Sequence, residues 1–201
     1  MHSARPLPIT TIHSCDQVDA CGMAKCGDNI AMVDLWMQNE THSGPAHGLN
    51  NLRAACSQAH QGKGCIFEDD MFGARVVDII MTHDLSRPLF LFWAPHAVHG
   101  PRQCPEATYS RFIPIIPDPQ RRMYAALTNH LDTLLGQAVQ ALETRGMLNN
   151  TLIVMSSDNG GDDSANNWPL RGAKFSNWEG GIHVRVLASD RLESRIPRRD
   201  K

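Results

Sequence analysis

The chain has 201 residues, 42% of them hydrophobic and 20% charged, with a formal charge of −2 at neutral pH. That composition suits one ordinary globular domain and excludes a disordered one. The lysines and arginines are scattered, which excludes the basic stripe that binds nucleic acid or an anionic membrane, and the best apolar run, Pro88 to Pro95, is far shorter than the ~18–20 residues of a membrane-spanning helix.

Residues 1–64 form a poorly defined Cys/Gly-rich segment in which only Ile30 to Met37 is a coherent apolar cluster. Its start, Met1-His-Ser-Ala-Arg-Pro, lacks the basic and apolar regions of a secretory leader, so the sequence as it stands predicts no export. Six cysteines, Cys15, Cys21, Cys26, Cys56, Cys65 and Cys104, match no tight zinc spacing, and disulfides are the expectation. With the sequons Asn39-Glu-Thr and Asn149-Asn-Thr they point to the secretory pathway.

Residues 65–201 carry the readable pattern. From Asp69 to His83, Phe72, Val76, Ile79 and Ile80 recur at helical spacing, with acidic residues at the front where the helix dipole favours them. Pro88-Leu-Phe-Leu-Phe-Trp-Ala predicts a strand buried on both faces of a parallel sheet. A proline-rich loop runs to about Pro117. Asp118 is then a predicted N-cap with Pro119 at the first helical position, and Met123, Leu127, Leu131, Leu134, Leu135, Ala138 and Leu142 continue one stripe to a C-capping Gly146. Thr151-Leu-Ile-Val-Met-Ser-Ser predicts a second buried strand, and Ile182 to Ala188 a third. Strand, long helix, strand makes a right-handed parallel unit, an α/β arrangement in which polar residues past the strand ends gather at one edge.

Two motifs occupy those edges: Val98-His99-Gly100-Pro101, and Ser157-Asp158-Asn159-Gly160-Gly161. Asp158 and Asn159 offer adjacent hard oxygen donors of the kind Ca2+ or Mg2+ prefers, and the two glycines would allow a sharp turn. Taken alone, Asp-Asn-Gly-Gly is more often a plain strand-ending turn. Shortly after it comes Trp168-Pro-Leu-Arg-Gly-Ala-Lys174-Phe-Ser-Asn-Trp-Glu179-Gly-Gly181, a run that neither helix nor strand periodicity explains, and loops of that kind commonly hold sites. His99 by itself reads as an ordinary loop histidine, and Lys174, one of four lysines, as a solvated one. Arg171 and Asp132 read as structural.

Taken together, Asp158-Asn159-Gly160-Gly161, Asn167-Trp-Pro-Leu-Arg-Gly-x-Lys174 and Trp178-Glu-Gly-Gly resemble the second half of the catalytic domain of type I sulfatases of the arylsulfatase B kind. The Pro88-Leu-Phe-Leu-Phe, Val98-His99-x-Pro101 and Gly146-Met-Leu-Asn-Asn-Thr151 segments are similar too, so that the resemblance spans about Ile66 to Ser189. It implies an alkaline-phosphatase-like α/β fold, a mixed sheet flanked by helices and here incomplete. It also implies a metal, most often Ca2+, with Asp158 and Asn159 as two ligands, and His99 and Lys174 as catalytic residues against the sulfate of a small-molecule or carbohydrate sulfate ester. The implied location is lysosomal or extracellular.

The resemblance also shows what this sequence lacks. Such enzymes carry a strand ending in Asp-Asp and then Cys (or Ser)-x-Pro-x-Arg, whose first residue becomes the formylglycine nucleophile; that pentapeptide does not occur here. Asp69-Asp70 is not the missing pair on this reading, because it opens a helix directly before the His99 run. The expectation is a sulfuric ester hydrolase in truncated form, inactive alone. The alternatives are a non-catalytic remnant serving as a binding module, or a phosphatase or phosphodiesterase of the same superfamily. Asp158-Asn159, in place of an Asp-His pair, favours the sulfatase.

Overall fold

A computed structural model describes residues 36–38, 41, 43–45, 67–100, 102, 104–162 and 164–188. A hairpin precedes the main body: β1 (Trp36–Gln38) and β2 (Ser43–Pro45) pair antiparallel, Trp36 opposite Pro45. Five of the six cysteines, Asn39 and Pro101 lie outside the described residues.

The body is built on two helices. In α1 (Glu68–Thr82), Asp69, Gly73, Val76 and Ile80 are buried, steps of three and four that place one stripe on one face. A short α2 (Glu106–Tyr109) and a 3-10 turn, Ser110–Phe112, interrupt the stretch expected to be loop. They are held there by Arg122, which donates to the Ile116 and Pro117 carbonyls at 2.8 Å each and lies over the Tyr109 ring. The long helix α3 (Pro119–Thr144) begins as expected, the Asp118 side chain accepting from the Arg121 N–H at 2.7 Å with Pro119 at the first position. It ends as expected on Gly146, at φ 68°, with the Gly146 N–H donating to Glu143 and the Met147 N–H to Leu142 in a Schellman arrangement.

The α1 and α3 helices pack closely at Gly73, where a Cβ would lie 3.1 Å from Leu134 Cδ2. The core is in two clusters along α3. Val76, Ile80, Ala138, Ala141, Leu142 and Leu148 form one, and Cys104, Met123, Ala126 and Leu127 the other.

The strands depart from expectation. Along Pro88–Pro95, Leu89, Leu91 and Trp93 pack on the first cluster, while Phe90 is 86% and Phe92 79% exposed. One face is therefore packed and partly buried, and the other is exposed, and the segment joins no sheet among the described residues. Of the second predicted strand only β3 (Val154–Ser156) forms, exposed throughout. It pairs antiparallel with β4 (Val186–Ala188), Met155 opposite Leu187. Ile182 falls instead in a helical turn, α4 (Glu179–Ile182). The parallel pairing expected of the two apolar runs is thus absent among the described residues, although Leu89, Leu91 and Ile153 rest on the same helical core. An apolar run specifies burial against a helix layer, but the partner for its other face comes from tertiary structure.

Candidate functional site

The two apolar runs flank a cleft of ≈ 2310 Å³, and His99, Asp158, Asn159 and Lys174 all line it. Each reaches it by a different local device.

The His99 turn is anchored from α1. Asp69 is 2% exposed, and its two oxygens accept the N–H groups of His96 and Ala97 at 2.8 and 3.0 Å. Burial pushes the Asp69 carboxyl above the usual aspartate range, against the lowering effect of those two donors. The helix dipole accounts for acids at this end of α1 in general, but Asp69 in particular serves to satisfy loop backbone. His96 stacks on His99 with ring centroids 5.6 Å apart, and its Nδ1 lies 3.4 Å from Glu68 Oε2. His99 is exposed, and its Nδ1 is 2.6 Å from the Gly100 carbonyl oxygen. A carbonyl only accepts, so Nδ1 is the protonated nitrogen and Nε2 carries the lone pair of the neutral ring.

Asp158 is exposed and Asn159 half-buried at the end of β3. The glycines after them do not serve a left-handed turn: the positive-φ glycines among the described residues are Gly146 and Gly172. They serve close approach. A Cβ on Gly160 would lie 1.8 Å from the Gly180 carbonyl oxygen, and one on Gly180 would lie 2.2 Å from that of Gly172. The Gly160 N–H donates to Gly181 at 2.8 Å, so the Asp-Asn-Gly-Gly and Trp-Glu-Gly-Gly motifs meet backbone to backbone. Asn167 completes the join. Its amide oxygen accepts from the Gly161 N–H at 3.0 Å, and its Nδ2 donates to the Gly161 carbonyl at 2.8 Å.

Lys174 is placed by the same turn, its N–H donating to the Gly161 carbonyl at 2.9 Å, with the ammonium 5.3 Å from the Phe175 ring centroid. Arg171, read as structural, stacks on Trp178 at 4.0 Å. Asn167 and Arg102 are residues that sequence reasoning passed over, Asn167 standing in the motif it begins; Asp69 was weighed only as half of an Asp-Asp metal pair, and its hold on the His99 turn was missed.

Asp158 and Asn159 are right in kind for a hard cation, but two donors fall short of the about six to eight oxygens Ca2+ takes. Among the described residues no three His, Cys, Asp or Glu side chains are grouped to hold a metal. Cys104 is a free buried thiol, against the expectation of a disulfide. Burial, then the Asp70 and Glu106 carboxylates, pushes its pKa up to about 12, which makes it no nucleophile at neutral pH.

Residues 29–191 match the Sulfatase family. The chain belongs to the sulfatase family. The chain is 44% identical to Arylsulfatase J of Mus musculus over 121 residues, 59% of this chain and 20% of that protein. It is 34% identical to a Sulfatase of Formosa agariphila, over 59% of this chain and 24% of that one. N-acetylgalactosamine-6-sulfatase of Homo sapiens is 26% identical over 56% of this chain and 21% of its own length. The chain therefore spans about a fifth to a quarter of these relatives. Among solved structures, Ps i-CgsB in complex with k-i-k-neocarrahexaose superposes with a TM-score of 0.61 at 26% identity, covering 85% of this chain and 34% of that one. The fold is accordingly the α/β sulfatase fold, present in part. Among the described residues no helix is long and apolar enough to cross a membrane.

Proposed function

We propose that this chain carries the sulfate-binding and proton-donating part of a sulfuric ester hydrolase site, formed by His99 and Lys174 with Asp158 and Asn159 beside them. The observation that carries this reading is that the four residues, from three separate loops, line one cleft. The Lys174 ammonium supplies a fixed positive charge for the sulfate oxygens, and such charge counts most where negative charge grows in the transition state. His99, with Nδ1 donating to Gly100, has Nε2 as the atom that takes up a proton and returns it to the departing oxygen.

Members of this family generally depend on a divalent metal. Asp158 and Asn159 would be two of its ligands, Ca2+ being the ion their oxygen chemistry fits. The substrate class is a sulfate ester of a small molecule or a sugar; the carrageenan-type oligosaccharide bound by the structural relative supports the sugar. A secretory-pathway location, lysosomal or extracellular, accords with the exposed Asn149 of the second sequon. Hydrolysis requires a nucleophile, and the sequence has no Cys (or Ser)-x-Pro-x-Arg to supply it. On this reading the 201-residue chain alone turns over no 4-nitrophenyl sulfate.

The test is a titration of the chain with inorganic sulfate and, separately, inorganic phosphate, read by NMR at His99. Saturable sulfate shifts that weaken about tenfold or more in Lys174→Ala support the reading. Phosphate binding much more tightly than sulfate would favour the phosphatase alternative, and no response to either anion would leave a non-catalytic remnant.

A further inference from the structure

The turn that bears His99 and the turn that follows Asp158-Asn159-Gly160-Gly161 are joined by one guanidinium. Arg102 Nε donates back to the Val98 carbonyl at 3.3 Å, Nη1 donates to Ser164 Oγ at 2.9 Å, and Nη2 pairs with the Asp162 carboxylate. The last two partners stand 62 and 60 residues further along the chain. Asp162 organises its own turn as well, Oδ1 accepting from the Ser164 N–H at 3.0 Å and its carbonyl accepting from Ala165 at 2.9 Å. Ser164 is 8% exposed, and its carbonyl accepts from Arg121 Nη1 at 2.9 Å, which fastens the turn to α3. Arg102 and Arg121 both lie against the Tyr124 ring, 5.5 and 5.7 Å from its centroid.

We propose that Arg102 is a positioning residue: it locks the turn after Asp158-Asn159-Gly160-Gly161 to the turn bearing His99, and so sets the spacing between the two parts of the site. This rests on the sulfate-site reading above. Val98, whose carbonyl it holds, is the neighbour of His99, and Asp162 follows Gly161 directly. The planar fork with three partners in different directions is something a lysine ammonium does not reproduce. Its charge is met by Asp162, and its Nε and both Nη groups have partners, which separates it from an arginine that receives substrate.

The experiment compares the 201-residue chain with Arg102→Leu, Arg102→Lys and the reversed pair Arg102→Asp/Asp162→Arg. It reads amide hydrogen exchange and sulfate titration. Arg102→Leu is expected to speed exchange at residues 98–100 and 159–162 about tenfold or more, with α1 and α3 unchanged, and to weaken sulfate binding. Arg102→Lys and the reversed pair should recover part of both. Unchanged exchange in the two turns overturns the proposal, as does equal loosening of α1 and α3, which would mark a general structural role. Sulfate binding as tight in Arg102→Leu as in the wild type overturns it too, even with looser turns. If the wild-type chain itself binds no sulfate, the site reading fails on its own terms, and the exchange data still report on the clamp.

Discussion

The Asp69 carboxylate, in the first turn of α1, holds the backbone of His96, 27 residues away, and of the Ala97 that follows it. A helix element thereby fixes the turn that bears His99 through side-chain hydrogen bonds at a position where solvent is excluded. Asp69→Ala strands two N–H groups and should cost about 2 kcal/mol of stability, measured by urea unfolding. The pH dependence has a definite sign. Because burial raises its folded pKa, Asp69 binds more protons folded than unfolded between the ordinary aspartate range and that raised value. Its contribution to stability is therefore fully present below the ordinary range and is lost as pH rises through the folded pKa. In melts from pH 7 down to pH 3 the wild type should gain on Asp69→Asn, and parallel curves would contradict this.

The contact between Gly160 and Gly180 leaves no room for a side chain on either. Since a Cβ at Gly160 would meet backbone atoms, relief requires the two motifs to separate, and Gly160→Ala should cost more than ~3 kcal/mol. Limited trypsin digestion should then cut faster at Arg171 and Lys174. Gly100→Ala, where a Cβ meets nothing within 4 Å, is the control and should leave the cleavage rate unchanged.

Two glycines on α3 and its cap predict opposite signs. Gly136 is exposed in mid-helix, and a Cβ there would point into open space, so Gly136→Ala should stabilise by about 1 kcal/mol. Gly146, at φ 68°, closes the helix, and Gly146→Ala should destabilise by about 1 kcal/mol. Differential scanning calorimetry should show the midpoint rising for the first and falling for the second.

Phe90 and Phe92 are exposed on one face of a run whose other face is packed against the helical core. The double variant Phe90→Ser/Phe92→Ser should reduce binding of the dye ANS with little change in stability, within about 0.5 kcal/mol. Leu91→Ala, on the packed face, should cost roughly 2 kcal/mol. Equal losses from both faces would mean the run is buried on both sides after all.

What the sequence determined by itself was local. The α1 helix, the Asp118 cap, the long helix and its Gly146 ending follow from spacing and capping chemistry within a few residues, and their bounds stand within a residue of expectation, although the buried face of α1 has Asp69 and Gly73 with Val76 and Ile80, while Phe72 and Ile79 are only half-buried. The Asp158-Asn159, Lys174 and Trp178-Glu-Gly-Gly motifs were legible through their resemblance to a family. Tertiary structure alone decided the rest. An apolar run such as Pro88–Pro95 announces that it seeks burial, but whether one face or two is covered depends on segments far off in the chain. In the same way, nothing near Asp69, Arg102 or Gly160 in sequence names His96, Asp162 or Gly180 as partner, because hydrogen bonds and close backbone contacts between distant segments arise only when the fold brings them within about 3 Å.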